Sequence, residues 1–438
     1  MAMVCLGGPG SAGAQAAPEN SQQAQAPSAQ PAQLQPAYTL PPAKLAKAIA
    51  LNRVRLPLEI VASIWSVLVL WLLLSTRAVS GLERWAERLM QRRWAQGLVF
   101  FALFITIVTA TGLPLDLIGE LASRHYGISV QSWTGWFADW LKTQALAVVF
   151  GSLLLLLFNW IMKRSPRRYW LWSWAIAVPV MVLVTFVSPV FIEPIFDKFE
   201  PLEKTDPKLV ADLEKVVART GTNIPPDRMY LMKASEKTNG LNAYVSGLGA
   251  TKRVVVWDTT AGRVPDDEVM FIFGHESGHY VLHHIVKGLV VSAVALFFMF
   301  WACARFAGWM ARRFGKRWGI ADGEGEALPA TRTGFVALLF SVAIASFLLE
   351  PAANTFSRYL EHQADVFGQE AIHGLVPDPQ KTAVASFNAL GEAWLEDPRP
   401  NRFIEIWLYN HPSVQQRADF AQHYDPWKNG GRGEFFSH

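Results

Sequence analysis

Residues 269–282, VMFIFGHESGHYVL, join an apolar run to a motif of the form H-E-x-x-H. On a helix, His275 and His279 lie four residues apart, so both imidazoles project from one face and can bind one metal ion. Glu276 lies on the neighbouring face, where its carboxylate can accept a proton from an attacking water. The apolar flanks predict that this helix is buried. The alternative to a metal site is an ordinary core helix whose two histidines form hydrogen bonds only with protein groups.

The composition around this motif is typical of a membrane protein. Hydrophobic residues make up 51% of the 438 residues and charged residues 17%, below the roughly 25% of soluble domains. The basic residues behind the net charge of +4 cluster beside apolar runs, which indicates topology signals rather than a nucleic-acid surface. Cys5 and Cys303 lie in a low-complexity tail and an apolar run, so we expect neither a disulfide framework nor a cysteine zinc site.

Six apolar runs are each long enough to cross a bilayer as a helix. They cover residues 57–76, 97–118, 143–162, 169–192, 287–309 and 333–354. The sixth ends in Glu350-Pro351, and part of it is also interpreted as a buried helix of the catalytic domain. The fold class we predict is a mainly α-helical, polytopic membrane protein that carries a zincin-like α+β domain with a small β-sheet.

These runs divide the chain into three predicted parts. Residues 1–42, rich in Ala, Gln, Pro, Gly and Ser, cannot bury enough apolar surface to fold and are predicted to be a disordered tail. They lack the charged start and long apolar core of a signal peptide. Residues 43–200 are predicted to form a transmembrane domain of four spans. Residues 201–438 are predicted to form the metallopeptidase domain, which includes the last two spans.

The polar insert before the motif predicts a mixed α+β arrangement. Helical spacing of apolar residues runs through 208–219, and residues 228–232 have the composition of a strand. Residues 242–246 and 253–257 are two further β-prone runs around a glycine-containing segment. This pattern predicts a β-hairpin.

The distribution of basic residues predicts the orientation in the membrane. The loops at 77–93, 163–168 and 312–317 are rich in Arg and Lys, and with six spans they share one side. The positive-inside rule makes that side cytoplasmic, so the catalytic insert and both termini would face outward. The evidence against this is four basic residues just before the first span, Lys44, Lys47, Arg53 and Arg55.

A catalytic zinc ion takes three protein ligands, so one more side chain is required. Glu361 and Asp365 lie four residues apart on one helical face. Glu361 can therefore bind the metal while Asp365 orients a histidine ligand. The alternative is an ordinary polar helix face, with Arg358 as an ion-pair partner.

Other histidines are open to two interpretations. His411 could stabilise an oxyanion near the metal, or it could be a solvated loop histidine. His283 and His284 continue the motif segment and are treated as structural.

Five ordered stretches resemble the type I CAAX prenyl endopeptidase family of integral-membrane zinc metalloproteases, which is similar to the bacterial heat-shock membrane metalloproteases. They are the exit from the fourth span at 189–202, the strand pair at 242–255, the motif helix at 275–286, the helix at 357–365 and the His-Pro motif at 411–417. The resemblance runs from about residue 95 onward. It implies seven spans around an intramembrane chamber, whereas the sequence predicts six, and it implies a cytosolic catalytic domain.

The resemblance implies a role for each matching residue. It implies one zinc ion bound by His275, His279 and Glu361, with Glu276 as the general base. It also implies that Asp365 supports a ligand and that His411 and Asn242 line the site. The substrate would pair with the edge strand at 242–246, which makes Ala243 and Tyr244 substrate-binding residues by β-augmentation.

We therefore predict a zinc-dependent endopeptidase of a bacterial inner membrane that resembles the CAAX prenyl proteases. We expect it to hydrolyse peptide bonds of peptide or protein substrates, including prenylated ones, near or within the lipid bilayer, and to bind no nucleic acid. The first alternative is a quality-control metalloprotease for membrane proteins that has no prenyl specificity. An alternative of another class is a non-catalytic membrane scaffold or transporter with a structural zinc ion.

Overall fold

The structure, a computed structural model, describes residues 36–437 apart from 248, 321–327 and 329. Most of the predicted tail, residues 1–35, lies outside the described residues. The described end of that tail already packs on folded structure. The Ala37 N–H donates to Asp419 Oδ1 at 2.7 Å, and the Tyr38 side chain is only 1% exposed. Ordered packing thus begins before residue 42, because Tyr38 covers the surface left open by Gly391.

Helices dominate the described chain. They are α1 Pro42–Ser75, α2 Ala78–Leu89, α3 Arg93–His125, α4 Trp133–Arg164, α5 Tyr169–Val187, α6 Glu193–Phe196, α7 Leu202–Thr205, α8 Pro207–Thr220, α9 Asp258–Ala261, α10 Asp266–Val281, α11 His284–Trp318, α12 Arg332–Ala371, α13 Pro379–Trp394, α14 Arg402–Leu408 and α15 Val414–His423. A π-helical turn, Ser188–Ile192, joins α5 to α6.

Six helical segments of the described chain are long and apolar enough to cross a membrane. They are Pro42–Ser75, Arg93–His125, Trp133–Arg164, Tyr169–Phe196, His284–Trp318 and Arg332–Ala371. The mainly helical, polytopic fold class is therefore confirmed. Both interpretations of the sixth run also hold, because the 40 residues of α12 continue without a break from an apolar segment into the buried core around Glu361.

A four-stranded sheet lies before the motif helix. Its strands are β1 Phe199–Pro201, β2 Met229–Met232, β3 Ala243–Ser246 and β4 Arg253–Trp257, in the order β1-β2-β4-β3. The predicted hairpin is confirmed, since β3 pairs with β4 in antiparallel register, Ala243 opposite Val256. β2 pairs with β4 in parallel. This order leaves β3 at an edge of the sheet.

Two glycines let α10 and α12 pack backbone against backbone. A Cβ atom on Gly368 would lie 2.7 Å from the backbone nitrogen of His275. A Cβ on Gly274 would lie 3.1 Å from the carbonyl oxygen of Gly368. A Cβ at 2.7 Å does not fit, so Gly368 is required here, and a Cβ at 3.1 Å on Gly274 would force its neighbour to shift. The close packing carries the Glu361 turn of α12 alongside the motif.

The basic loops lie at the ends of the long helices opposite to the motif. The Arg77 guanidinium donates to the carbonyl oxygens of Lys316 and Arg317, so the loops after the first and fifth spans meet. α11 starts beside the motif at His284 and ends at Trp318 in this basic region. At 1.5 Å per residue, its 35 residues separate the two ends by roughly 50 Å.

Residues 434–436, near the end of the described chain, form hydrogen bonds with the C-terminal end of α12. Glu370 is fully buried and accepts hydrogen bonds from the backbone N–H groups of Glu434, Phe435 and Phe436. The Tyr424 hydroxyl donates to the same carboxylate. A buried carboxylate is stable only when such donors surround it. The C-terminal segment is thus part of the domain that positions the motif.

Candidate metal centre

Three side chains from α10 and α12 converge on one point. His275 Nε2 lies 3.1 Å from His279 Nε2 and 3.3 Å from Glu361 Oε2. His279 Nε2 lies 3.4 Å from Glu361 Oε1. The helical spacing of four residues aligns the two imidazoles, and the glycine contact between the helices brings the carboxylate to them. The structure therefore brings together the three residues that the sequence predicts as metal ligands.

The chemistry of this cluster fits a divalent metal ion. Among the described residues, the buried Glu361 Oε2 has no hydrogen-bond partner of normal geometry. A buried acceptor in that condition costs about 1–3 kcal/mol unless another group satisfies it. Two imidazole nitrogens and one carboxylate are the donor set that catalytic zinc takes, with a fourth position free for water or substrate. The residues present therefore fit zinc.

Glu276 lies between the cluster and the sheet. Its Oε2 atom is 3.4 Å from the backbone nitrogen of Val245 on β3. Burial raises the pKa of this carboxyl above its ordinary value. A carboxylate with a raised pKa is a better proton acceptor than an ordinary exposed glutamate.

Asp365 and Arg417 support the cluster from behind. Asp365 Oδ1 lies 2.8 Å from Nδ1 of His275, the ring nitrogen that faces away from Glu361. The Arg417 guanidinium donates to both carboxylate oxygens of Asp365, at 2.6 and 2.9 Å. It also stacks on the Phe387 ring at 4.6 Å. The predicted pairing of Asp365 with a histidine is therefore present as geometry, and a bidentate ion pair holds it in place.

His411 lies at the open side of the cluster. Its Nε2 is 3.2 Å from Glu361 Oε2, and its Nδ1 is 2.8 Å from Asn410 Oδ1. The side chain is 49% exposed, so His411 is accessible to a substrate that approaches the cluster. Of the two sequence interpretations, the geometry favours a residue that lines the site.

A cleft of about 380 Å³ opens beside the cluster. Asn242 and Ala243 line this cleft together with His275, Glu276 and residues of α1 and α13. The third predicted substrate residue is placed differently. The Tyr244 side chain points to the other face of the sheet, where its hydroxyl donates to Glu193 at 3.0 Å. The reason is the alternation of side chains along a strand, which turns the neighbour of Ala243 away from the cleft.

The structure adds two residues whose roles the sequence did not predict. Arg417 belongs to the His-Pro motif at 411–417, and that motif was the signal that could have drawn attention to it. His284, treated as structural, has its Nδ1 atom 3.1 Å from Nδ1 of His279. No sequence pattern indicated this contact, because residues five apart do not share a helix face.

Family profiles match nearly the whole described chain. The profile of the CAAX prenyl protease N-terminal region, with five membrane helices, matches residues 20–198. The profile of peptidase family M48 matches residues 203–425.

Individual relatives are also similar to this chain. A protein of Bacillus subtilis named uncharacterized metalloprotease YhfN is 34% identical over 361 residues, or 80% of each chain. CAAX prenyl protease 1 of Saccharomyces cerevisiae is 31% identical over 208 residues, 47% of this chain and 45% of the yeast protein. The crystal structure of S. mikatae Ste24p has a similar fold, with a TM-score of 0.72, 23% identity and coverage of 86% of this chain and 90% of that one.

A polytopic helical fold with a metal-binding cluster on H-E-x-x-H defines a membrane-integral metalloendopeptidase. The profile and the Bacillus relative show the particular family: this chain belongs to peptidase family M48, and its N-terminal half is of the CAAX prenyl protease type. The predicted resemblance, the enzyme class and the multi-pass membrane character are thereby confirmed.

Proposed function

We propose that His275, His279 and Glu361 bind one zinc ion and that Glu276 is the general base of peptide hydrolysis. One observation carries this proposal: the three ligand atoms lie within 4.8 Å of one another, directly beside Glu276 and a free strand edge. When bound, zinc supplies the positive charge that acidifies water and polarises a peptide carbonyl.

The protein side chains supply the proton transfers. Glu276 accepts a proton from the attacking water and then delivers it to the leaving amine. His411 reaches the cluster from its open side, where it is placed to stabilise the oxyanion that forms on the peptide carbonyl. Asp365 holds His275 with its Nε2 atom directed at the metal.

The edge strand β3 is suited to hold an extended substrate. Trp257 N–H donates to the Asn242 carbonyl, so Asn242 and alternate residues after it bond to β4. The backbone groups of Ala243 and Val245 therefore point to the free edge. We propose that the substrate adds a strand there, with its scissile carbonyl next to Glu276.

Prenylated peptides are the substrate class that we propose first. Yeast and human relatives are named CAAX prenyl protease 1 or its homolog, and the cleft is bordered by the membrane helix α1. Cleavage of unmodified membrane proteins is the second candidate. It is favoured by the free edge of β3, because strand pairing uses backbone groups that an unmodified peptide also has.

The substitution Glu276→Gln tests the mechanism. We expect cleavage to fall by at least about 100-fold, since general-base catalysis contributes roughly 10²–10⁴, while zinc content stays at one ion per chain. Exposed Glu214→Gln on α8 is the matched control and should leave the rate unchanged. Full activity of Glu276→Gln would rule out its role as the base. Four protein ligands around the zinc in X-ray absorption would instead favour a structural metal.

Paired reporters separate the two substrate classes. The same peptide is offered with and without a farnesyl group on its cysteine, to purified zinc-loaded protein in lipid nanodiscs. The prenyl proposal expects cleavage of the farnesylated reporter with a much higher kcat/KM. Equal rates would support the second candidate.

A further inference from the structure

His284 contacts the metal-ligand cluster, although it is not one of the three ligands. His284 is 3% exposed, and its Nδ1 atom lies 3.1 Å from Nδ1 of His279. The other nitrogen of His279, Nε2, faces Glu361 at 3.4 Å. The two nitrogens of the His279 ring therefore have different partners, one in the cluster and one behind it.

The break between α10 and α11 creates this contact. In one unbroken helix, residues five apart are rotated by about 140°, and their rings would not meet. Here α10 ends at Val281, and His283 adopts φ 57° in the left-handed region before α11 begins. This turn brings the ring of His284 to within 5.1 Å of the His279 ring, measured between centroids. A non-glycine residue in this conformation is strained, and such strain is typical of functional sites.

The proton positions follow from the metal site. A histidine binds a metal through a nitrogen that carries no proton, so His279 with Nε2 toward the metal keeps its proton on Nδ1. That N–H donates to Nδ1 of His284, whose own proton must then lie on Nε2. His284 Nε2 donates to Gln363 Oε1 at 3.3 Å. Gln363 Nε2 donates in turn to the Tyr359 hydroxyl, also at 3.3 Å.

These hydrogen bonds connect the motif helix α10 to α12, the helix that carries Glu361. They do so in addition to the ligand cluster itself. Gln363 lies two residues beyond Glu361 on α12. The hydrogen bonds therefore start at the ligand His279 and end beside the ligand Glu361. The two ligand histidines also differ in their outer partners. Anionic Asp365 accepts from His275, whereas a neutral imidazole accepts from His279.

We propose that His284 is a positioning residue of the metal centre. It accepts the hydrogen bond from His279 Nδ1, fixes the tautomer that leaves Nε2 free for the metal, and holds the ring in the orientation that the site requires. Outer partners of this kind typically contribute 10- to 100-fold in metal affinity. The inference rests on the proposed function, because it takes His279 as a metal ligand.

Two substitutions separate positioning from packing. His284→Leu fills the buried site but has no acceptor, whereas His284→Asn keeps an acceptor oxygen near the position of Nδ1. Zinc affinity is measured by competition with a chromogenic chelator, and the cobalt-substituted protein reports ligand geometry in its visible spectrum. We expect His284→Leu to bind zinc about 10- to 100-fold more weakly with an altered cobalt spectrum. We expect His284→Asn to stay within about threefold of the original protein, since the bond is kept.

The neighbouring His283 provides the matched control. Its side chain is exposed, and Asn tolerates the left-handed conformation, so His283→Asn should keep both affinity and spectrum. Thermal unfolding of the metal-free proteins reports whether each variant folds. If His284→Leu does not fold, His284→Gln replaces it, because its amide reaches the Nε2 position and leaves His279 without an acceptor.

Three outcomes are distinguishable. Weak zinc binding by His284→Leu or His284→Gln and near-normal binding by His284→Asn supports the proposal. Equal affinities in all of them, or equal losses at matched unfolding temperatures, overturn it. If the unsubstituted protein itself binds no zinc, the proposed function fails rather than this inference.

Discussion

At the scale of single residues, the site depends on buried charges that occur in matched pairs. Asp365 is 3% exposed and contacts both Arg417 and His275. A buried carboxylate without its cation is costly, so the bidentate bond from Arg417 is what permits Asp365 to lie there. The Asp365 carboxylate in turn orients the imidazole of His275. A hydrogen bond to a charged carboxylate is stronger than one to a neutral acceptor.

Replacing Asp365 with Asn should weaken metal binding without removing it. The amide keeps the shape but loses the charge that strengthens the bond from His275 Nδ1, so we expect a loss of about 10- to 100-fold in zinc affinity. Chelator competition on the purified protein measures it. Exposed Asp425→Asn is the control. Unchanged affinity in Asp365→Asn would show that Arg417 and Asp365 serve stability alone.

At the scale of elements, the close approach of α10 and α12 decides the ligand geometry. The motif supplies two ligands on one helix, but Glu361 reaches them only because Gly274 and Gly368 let the helix backbones touch. Small residues at such crossings have a packing role that no catalytic motif reveals.

Gly368→Ala should therefore impair both stability and metal binding. Its Cβ would meet the His275 backbone at 2.7 Å and push the helices apart. Overpacking of this kind costs about 1–3 kcal/mol, measured as a lower unfolding temperature in detergent. Gly288→Ala on α11 is the control, because nothing lies within 4 Å of its Cβ position. Equal unfolding temperatures for the two variants would contradict this account of the crossing.

The edge strand offers a separate test at the same scale. Val245→Pro removes one backbone N–H that faces the free edge and Glu276 but no bond to β4. We expect kcat/KM to fall by more than about 10-fold, since a strand-pairing donor is lost, with zinc content unchanged. Val245→Thr keeps the N–H and a similar shape, and should retain activity. Retained activity in the proline variant would place the substrate elsewhere in the cleft.

At the scale of the whole molecule, the long helices separate the basic loops from the candidate metal centre. The basic loops meet at one end, where Arg77 contacts the end of α11, and the candidate metal centre lies at the other. Whichever side the basic loops occupy, the catalytic domain is on the opposite side of the spans.

The charge distribution predicts that the catalytic domain faces outward. The positive-inside rule predicts that the basic loops stay in the cytoplasm. We then expect alkaline phosphatase fused to the C-terminus to be active in a bacterial host and green fluorescent protein to be dark. Fusions in the loop at 163–168 serve as the inverse control. The reversed pattern would support the cytosolic orientation that the family resemblance implies.

Local patterns were enough to predict some of the elements of this protein. Apolar runs of bilayer length, the H-E-x-x-H spacing and the β-prone runs around Gly247 each depend on near neighbours in sequence, so six membrane-length helices, the motif helix and the hairpin were all predictable. Helical spacing drew attention to Glu361 and Asp365, and the family resemblance implied their partners among the motif histidines. The contact of Asp365 with Arg417 came only from the structure.

What the sequence by itself determined is therefore the membrane-length helices, the motif helix, the hairpin and the candidate ligands, because backbone periodicity and side-chain chemistry are local properties. Only the tertiary structure decided which of them meet. The arrival of Glu361 at His275 depends on a glycine crossing, the bond from Arg417 to Asp365 on the packing of α15 against α12, and the contact of Tyr244 with Glu193 on the position of α6 beside the sheet. These are non-local contacts, and their free energy comes from packing that no window of sequence contains.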